Sequence, residues 1–286
     1  MLGNKGTFVK APQRQIRQSA GFRVRQSVDI VDVLPQFASS GYFLRDMAFD
    51  SQLAQLRQGL IVSCQAPADS PLHDPSVIAA MAEAAVNQGA IAVRIDSPAH
   101  ITAVRKRVAV PIIGLWKQVR PDSEVYITPQ FHHAQAVAAA GADVIAIDAT
   151  ERPRPGNTTL AELIQQIHTE LQKPVMADID TLASAQAAAT AGADLLGTTL
   201  YGYTPATQHN QPPGLDLLST LVAKFSLPCI CEGGIASPAA ARKALDLGAS
   251  AVVVGTAITG IDSLVQRYQA ALAASEGASS IKSRSF

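Results

Sequence analysis

Residues 141–148 read GADVIAID, a glycine-alanine pair followed by a short aliphatic run that ends on an acid. A glycine-alanine pair followed by an aliphatic run returns at 89–94 as GAIAVR, at 192–199 as GADLLGTT and at 248–256 as GASAVVVGT, with other polar residues at the end. The pairs are 52, 51 and 56 residues apart. Glycine readily ends a helix, and continuous aliphatic runs are typical of buried parallel strands. Each period has room for two strand–helix units, so four periods predict eight strands.

Four further aliphatic runs complete the set, and three of them follow a proline, at Pro111, Pro174 and Pro228. Proline cannot extend a preceding helix but is accepted at the first residue of a strand. Nearly all eight runs end on a polar or charged residue. In chain order the ends are Gln65, Arg94, Lys117, Asp148, Asp178, Thr198 with Thr199, Glu232, and Gly255 with Thr256. We therefore predict an α/β protein with a (β/α)8 (TIM) barrel, in which these ends share the catalytic face.

Helix starts carry their own marks. A capping residue or a first-turn proline, with a glycine at the far end, is typical of a complete helix. The predicted starts are Asp74-Pro75, Thr128-Pro129, Thr181 and Ser237-Pro238.

Three segments are predicted along the 286 residues. Residues 1–49 form an N-terminal extension, largely disordered or loosely packed, that begins with a basic, acid-free stretch; a transit peptide and an early start codon are the alternatives. Residues 50–273 form the barrel, whose first helix, with Leu53 and Leu56, is expected to plug its bottom. Residues 274–286 are expected to form a loose C-terminal tail.

Composition excludes several classes of protein. The 23 basic and 23 acidic residues cancel, which leaves no electrostatic footprint for nucleic acid or an anionic membrane. No apolar stretch reaches the ~18–20 residues of a spanning helix. Cys64, Cys229 and Cys231 are too few for a disulfide framework, and the histidines show no zinc-ligand spacing. We expect a soluble, cytoplasmic protein without a bound metal.

Two strand ends carry candidate acid–base groups. Lys117 leaves a buried strand at the catalytic rim, which suits proton transfer; a snorkelling side chain or a phosphate contact is the alternative. Glu232 lies beside glycines that leave room for a substrate, or it is a structural partner of Arg94 or Lys117. Asp148 is expected to be hydrogen-bonded into the barrel frame.

Other ends suggest substrate binding. Gln65 and Arg94 suit sugar hydroxyl or carbonyl recognition, although an ion pair of Arg94 with Asp148 is an equal alternative. Gly233-Gly234 and Gly255-Thr256 follow the seventh and eighth strands, where backbone N–H groups commonly bind phosphate in this fold.

These motifs together resemble one family, the N-acylglucosamine-6-phosphate 2-epimerases, also called N-acetylmannosamine-6-phosphate 2-epimerases. The resemblance runs from about residue 60 to about residue 262. It depends on motifs that occur in order: LIVSCQA, AVRI, PIIGLWK, IDATERPRP, MADID, GTTLYGYT, ICEGGI and VVGTAIT.

The resemblance implies a barrel of the ribulose-phosphate-binding type that interconverts N-acetylmannosamine 6-phosphate and N-acetylglucosamine 6-phosphate without a cofactor. It implies that Lys117 is the acid/base at C2 of the sugar and that Glu232 assists ring opening or proton handling. Gln65, Arg94, Asp178 and Thr198 are then candidate substrate-binding residues, with the two glycine loops holding the phosphate. Amino-sugar metabolism, sialic acid catabolism and a possible homodimer belong to the same expectation.

Two positions depart from the family pattern. Gly234 stands where many members have arginine, which leaves more of the anion binding to backbone amides. Tyr201 stands where a small serine is common, so the pocket is expected to be narrower. Two other functions stay open from the residues alone. One is a Schiff-base lyase or aldolase that uses Lys117; the other is a non-catalytic phosphosugar-binding barrel.

Overall fold

Eight parallel strands close into a barrel in the computed structural model, which describes residues 53–279. Each strand pairs with the next along the chain, and the eighth pairs with the first. The strands are β1 (Leu60–Cys64), β2 (Ala92–Asp96), β3 (Ile112–Leu115), β4 (Val144–Asp148), β5 (Val175–Asp178), β6 (Leu195–Gly197), β7 (Cys229–Glu232) and β8 (Ala251–Val254). The predicted (β/α)8 fold is confirmed.

Helices connect the strands and cover the outside of the barrel. They are α1 (Pro75–Asn87), α2 (Pro98–Arg105), α3 (Phe131–Ala139), α4 (Leu160–Gln166), α5 (Leu182–Thr190), α6 (Leu215–Lys224), α7 (Pro238–Asp246), α8 (Thr256–Thr259) and α9 (Ile261–Ser279). A π-helical turn (Ile167–Leu171) extends α4, and 3-10 turns span Pro155–Asn157 and Thr198–Leu200.

The helix caps follow the sequence prediction at three starts out of four. The side chains of Asp74, Thr181 and Ser237 accept hydrogen bonds from backbone N–H groups of the first turns of α1, α5 and α7. The prediction for Thr128 is wrong, because α3 starts at Phe131 without a side-chain cap. Thr128 Oγ1 instead accepts a hydrogen bond of 3.0 Å from the backbone N–H of Trp116.

The repeated glycine-alanine and proline marks have a structural counterpart at the amino end of the barrel. In two of the four repeats an aspartate follows the pair, and its carboxylate accepts a hydrogen bond from the first N–H of the preceding strand. Asp143 Oδ2 accepts from Ile112 N at 2.8 Å, and Asp194 Oδ2 accepts from Val175 N at 2.7 Å. Each aspartate therefore fixes where an odd-numbered strand begins against its even-numbered neighbour.

Side chains alternate between the interior and the helix layer, as a strand period of two requires. In β4, Val144 and Ala146 pack inside the barrel, while Ile145 and Ile147 pack under the helices. The amino end of the interior is apolar and is closed by Leu53 and Leu56, which are 9% and 1% exposed. The predicted plug is confirmed for these two residues.

The structure differs from the predicted segments at the start of the C-terminal range. Helix α9 continues to Ser279, so helix occupies the start of the range 274–286 that was expected to be a loose tail. Alanine, serine and glutamate in this stretch are compatible with helix. Residues 1–49, for which an N-terminal extension was predicted, lie outside the described residues. Among the described residues, no helix combines the length and apolarity that crossing a membrane requires.

Candidate active site

A cavity of about 600 Å³ opens at the carboxyl end of the barrel, a size typical of small-molecule sites. Ten residues carry most of its polar and glycine lining. They include eight of the ten predicted site residues, both predicted catalytic groups among them. These ten are Ser63, Gln65, Arg94, Lys117, Thr199, Glu232, Gly233, Gly234, Gly255 and Thr256, and Gly255 is the glycine that follows β8.

A buried ionic network forms the floor of this cavity. Arg94 is 1% exposed and binds both carboxylate oxygens of Asp178, at 2.6 and 3.2 Å. Arg94 Nε lies 3.1 Å from Glu232 Oε1, which makes an ion pair, although the angle is poor for a hydrogen bond. Thr199 Oγ1 lies 2.6 Å from Asp178 Oδ1 and 3.2 Å from Glu232 Oε2. One arginine thus holds two carboxylates from β5 and β7.

The ionisation of Glu232 is shifted by this environment. Burial raises the pKa of Glu232 to about 7, against the lowering effect of the Arg94 charge and with a further increase from Asp178. The Thr199 hydrogen bond and the Lys117 charge also lower this pKa. A carboxyl group that titrates near neutral pH suits both giving and accepting a proton.

Lys117 follows β3 and reaches the opposite wall of the cavity, with its side chain 41% exposed. Its ammonium donates a hydrogen bond to Gln65 Oε1 and lies 3.8 Å from Asp96 Oδ2. Gln65 Nε2 in turn donates to Ser63 Oγ at 2.9 Å. The lysine is therefore oriented by Gln65, which follows β1, and by Asp96 of β2, while it stays open to the cavity.

Not every predicted site residue lines the cavity. Asp178 and Thr198 are fully buried behind the lining. The hydroxyl of Thr198 donates to the backbone oxygen of Glu232 at 2.9 Å and accepts its N–H at 3.0 Å. In this structure both residues support Glu232 and Arg94, and their predicted contact with substrate stays a prediction.

Asp148 is part of the barrel frame, as its buried position suggested. Its Oδ2 accepts from Arg152 Nη2 at 2.7 Å, and its Oδ1 accepts from Thr150 Oγ1 at 2.7 Å. The alternative ion pair of Arg94 with Asp148 is wrong, because Arg94 is paired with Asp178 and Glu232.

The glycine turn after β7 leaves no room for a side chain at position 234. A Cβ on Gly234 would lie 2.5 Å from Pro212 Cβ and 2.8 Å from the backbone carbon of Pro212, and φ there is +66°. Pro212 belongs to the loop before α6 and lines the cavity. The departure from arginine at this position is therefore matched by a loop that occupies the same space.

Sequence reasoning missed several residues around the cavity. Tyr126, Tyr203, Pro212 and Arg267 line it, and their loops or helix carry no end-of-strand signal. Asp96 was also missed, although it lies two residues after Arg94 on the same strand and shares its face. Arg267, on the exposed C-terminal helix, makes no hydrogen bond or ion pair with a side chain that the structure describes.

The other candidate ligands are dispersed. Cys64, Cys229 and Cys231 are free thiols that pack under the helices. Within residues 53–279, no group of three His, Cys, Asp or Glu side chains is arranged to hold a metal ion.

Comparison with known proteins gives consistent matches. A family model described as "Putative N-acetylmannosamine-6-phosphate epimerase" matches residues 78–274. A relative from Thermosynechococcus vestitus is 66% identical over 220 residues, which are 77% of this chain and 96% of the relative. A relative from Cutibacterium acnes is 45% identical over 225 residues, which are 78% of this chain and 97% of the relative. Both are named "Putative N-acetylmannosamine-6-phosphate 2-epimerase".

A solved structure is also similar over the barrel. The N-acetylmannosamine-6-phosphate 2-epimerase from Clostridium perfringens is 39% identical, with a TM-score of 0.73. The similarity covers 76% of this chain and 94% of the other.

Proposed function

This chain belongs to the N-acetylmannosamine-6-phosphate epimerase family, and we propose that it inverts C2 of its sugar phosphate between Lys117 and Glu232. The protein is a sugar-phosphate 2-epimerase, an isomerase that interconverts N-acetylmannosamine 6-phosphate and N-acetylglucosamine 6-phosphate. The observation that carries the residue assignment is that both side chains line one cavity.

The reaction requires a base, an acid and a place for negative charge. Opening of the pyranose ring leaves an aldehyde at C1, which acidifies the hydrogen on C2. Removal of that proton gives an enolate, and reprotonation from the other face inverts the centre. Hydrogen-bond donors and fixed positive charge near O1 stabilise the enolate as it forms.

The barrel supports a group on each face of C2. Lys117 follows β3 and Glu232 ends β7, and these strands are four positions apart in a ring of eight. Side chains on opposite walls can approach the two faces of a carbon that lies between them. In this proposal one group removes the C2 proton, the other supplies a proton to the opposite face, and the roles reverse in the other direction.

The protonation states agree with this division of work. With its pKa raised to about 7 by burial, Glu232 is partly protonated near neutral pH. It can act as a base in one direction and as an acid in the other. Lys117 is open enough to exchange its proton with solvent between turnovers.

We place the 6-phosphate at the glycine turns after β7 and β8. Backbone N–H groups in such turns, together with the N-terminus of α7, attract an anion. Arg267 supplies the cation at this end, since Pro212 closes the space at Gly234. Phosphate binding remote from C2 then contributes to holding the reacting carbon in place.

The state of the cysteines bears on the cellular compartment. Three free, buried cysteines are compatible with a reducing compartment, so we place the enzyme in the cytoplasm. Its substrate is a phosphorylated amino sugar, which fits a step in sialic acid catabolism. A homodimer stays a prediction.

Deuterium exchange tests the proposal directly. N-acetylmannosamine 6-phosphate incubated with the protein in D2O should give N-acetylglucosamine 6-phosphate that carries deuterium at C2. Proton NMR measures the loss of the C2 proton signal. At low conversion the product should carry more deuterium than the recovered substrate, because two different groups exchange the proton. Equal label in both would favour one shared base, and turnover without label at C2 would overturn the mechanism.

A separate trap addresses the Schiff-base alternative, which the comparisons do not favour. Borohydride added with substrate should leave the intact mass of the protein unchanged. A covalent adduct on Lys117 would instead support a lyase or aldolase.

A further inference from the structure

Asp96 holds both ends of the candidate catalytic lysine. It is the last residue of β2 and lies beside Leu115 of β3 in the sheet register. Asp96 Oδ1 accepts a hydrogen bond of 2.9 Å from the backbone N–H of Lys117. Its Oδ2 lies 3.8 Å from the ammonium nitrogen of the same lysine. One carboxylate therefore fixes the backbone of Lys117 and attracts its ammonium group.

The backbone that carries this carboxylate is held in an unusual conformation. Ser97 has φ +77° and ψ 145°, a region that residues other than glycine rarely adopt. Ser97 N donates to Leu115 O at 2.8 Å, and a nitrogen of His100 lies 3.0 Å from Asp96 O. Neighbouring structure thus imposes this turn, a situation that is common at functional sites.

Lys117 needs such support because of where it lies. The strand has already ended at Leu115, and the side chain is 41% exposed. Lys117 also begins a hairpin in which it pairs with Ile127. Without a fixed backbone the amine would sample many rotamers, and within residues 53–279 Gln65 would be the one remaining hydrogen-bond partner that orients it.

Given the proposed function of Lys117, we infer that Asp96 is a positioning residue that holds the lysine amine in reach of C2. Asp96 itself does not line the cavity, so its effect passes through Lys117. Asp96 should affect the rate of the proton transfer more than the affinity for the sugar phosphate.

The test compares Asp96→Asn and Asp96→Ala with a control at the other end of β3, Asp143→Asn. Asp143 makes the same kind of contact at the other end of β3, where its carboxylate accepts the N–H of Ile112 at 2.8 Å. We expect Asp96→Ala to lower kcat by at least about tenfold, with KM changed less than about twofold, because misplacement of a reacting group costs rate. Asp96→Asn keeps an oxygen for the Lys117 N–H and should recover part of kcat.

The control should behave in the opposite way, with wild-type kcat and a lower Tm. The inference is overturned if Asp96→Asn and Asp96→Ala keep wild-type kcat, or if they raise KM and leave kcat alone. If the alanine variant does not fold, the near-isosteric asparagine variant decides, and kcat must then fall. A wild-type protein that shows no C2 exchange would instead refute the proposed function.

Discussion

The two ends of the barrel are made by the same eight strands, yet they hold opposite kinds of side chain. At the amino end, Leu53 and Leu56 close an apolar interior. At the carboxyl end, Arg94 is buried between Asp178 and Glu232. Burial of charge is costly even when the charges are paired. Stability is therefore concentrated at the closed amino end, whereas the open carboxyl end carries the buried charged groups that the reaction needs.

The two ends also differ in how aspartates act on the backbone. At the amino end, Asp143 and Asp194 each fix the start of a strand. At the carboxyl end, the carboxylate of Asp96 likewise accepts a hydrogen bond from a backbone N–H, that of Lys117. The side chain of Lys117 carries the candidate catalytic amine. The same local interaction supports the frame at one end and a candidate catalytic group at the other.

The largest effect is expected when the open end loses its amine. Lys117→Met keeps the apolar stem and should lower epimerase turnover by at least ~10³-fold, within the range for a lost acid–base group. The side chain is 41% exposed, so Tm should change by less than about 2 °C. NMR of the two sugar phosphates and a thermal melt measure both values. Turnover above a tenth of the wild-type rate would contradict the assignment.

The closed end should respond in the reverse manner. Leu56 is 1% exposed, and Leu56→Ala should lower the free energy of unfolding by ~2–5 kcal/mol through the cavity it leaves. Urea unfolding measures the loss, and kcat should stay at the wild-type value where the variant is folded. Val265→Ala, at a side chain that is 53% exposed, is the control and should change neither. A lower kcat with unchanged stability would break the distinction between the ends.

A pH series should show that the ionised form of Glu232 destabilises the folded protein. Burial raises the folded pKa to about 7, whereas an unfolded glutamate titrates near ~4.3. Because the folded state binds this proton more tightly, the stability from Glu232 is present below the unfolded pKa and is lost as pH rises through the folded one. The unfolding free energy of wild type minus that of Glu232→Gln should therefore fall by ~1–3 kcal/mol between pH 4.5 and 8.

Urea titrations at each pH measure this difference, and Glu162 provides a control of opposite sign. Hydrogen bonds from the backbone N–H and the hydroxyl of Thr159 lower the pKa of Glu162. Its stabilising contribution is present above the unfolded pKa and is lost as pH falls through the lowered folded pKa, so it should not shrink between pH 4.5 and 8. A flat difference for Glu232→Gln would mean that its carboxyl group is not perturbed by burial.

The smallest effect is expected at the phosphate end. Arg267→Gln should raise KM for the sugar phosphate by about three- to tenfold and leave kcat unchanged. This is the change in affinity expected from the loss of roughly one charge-assisted hydrogen bond. Activity on unphosphorylated N-acetylmannosamine, where detectable, should not change. Arg242→Gln is the control, since Arg242 is an exposed residue of α7 paired with Asp246. An unchanged KM would remove Arg267 from the phosphate site.

Much of the frame could be predicted from local sequence. Strand ends such as Lys117 and Glu232 are visible because aliphatic runs stop at a polar residue, and the fold brings all such ends to one face. Asp96 was within reach of the same reasoning through its spacing from Arg94. Arg267 and Pro212 were not, since they reach the cavity from a helix and a loop whose paths no strand period specifies.

The eight strands, their order and the face on which chemistry occurs could be predicted from the chain alone, because aliphatic periodicity and glycine or proline positions reflect local preferences. The pairing of Arg94 with Asp178 and Glu232, and not with Asp148, depends on the packed fold. The position of Pro212 in the space beside Gly234 depends on it as well. These contacts join residues tens to more than a hundred positions apart, and barrel closure, not local preference, brings them together.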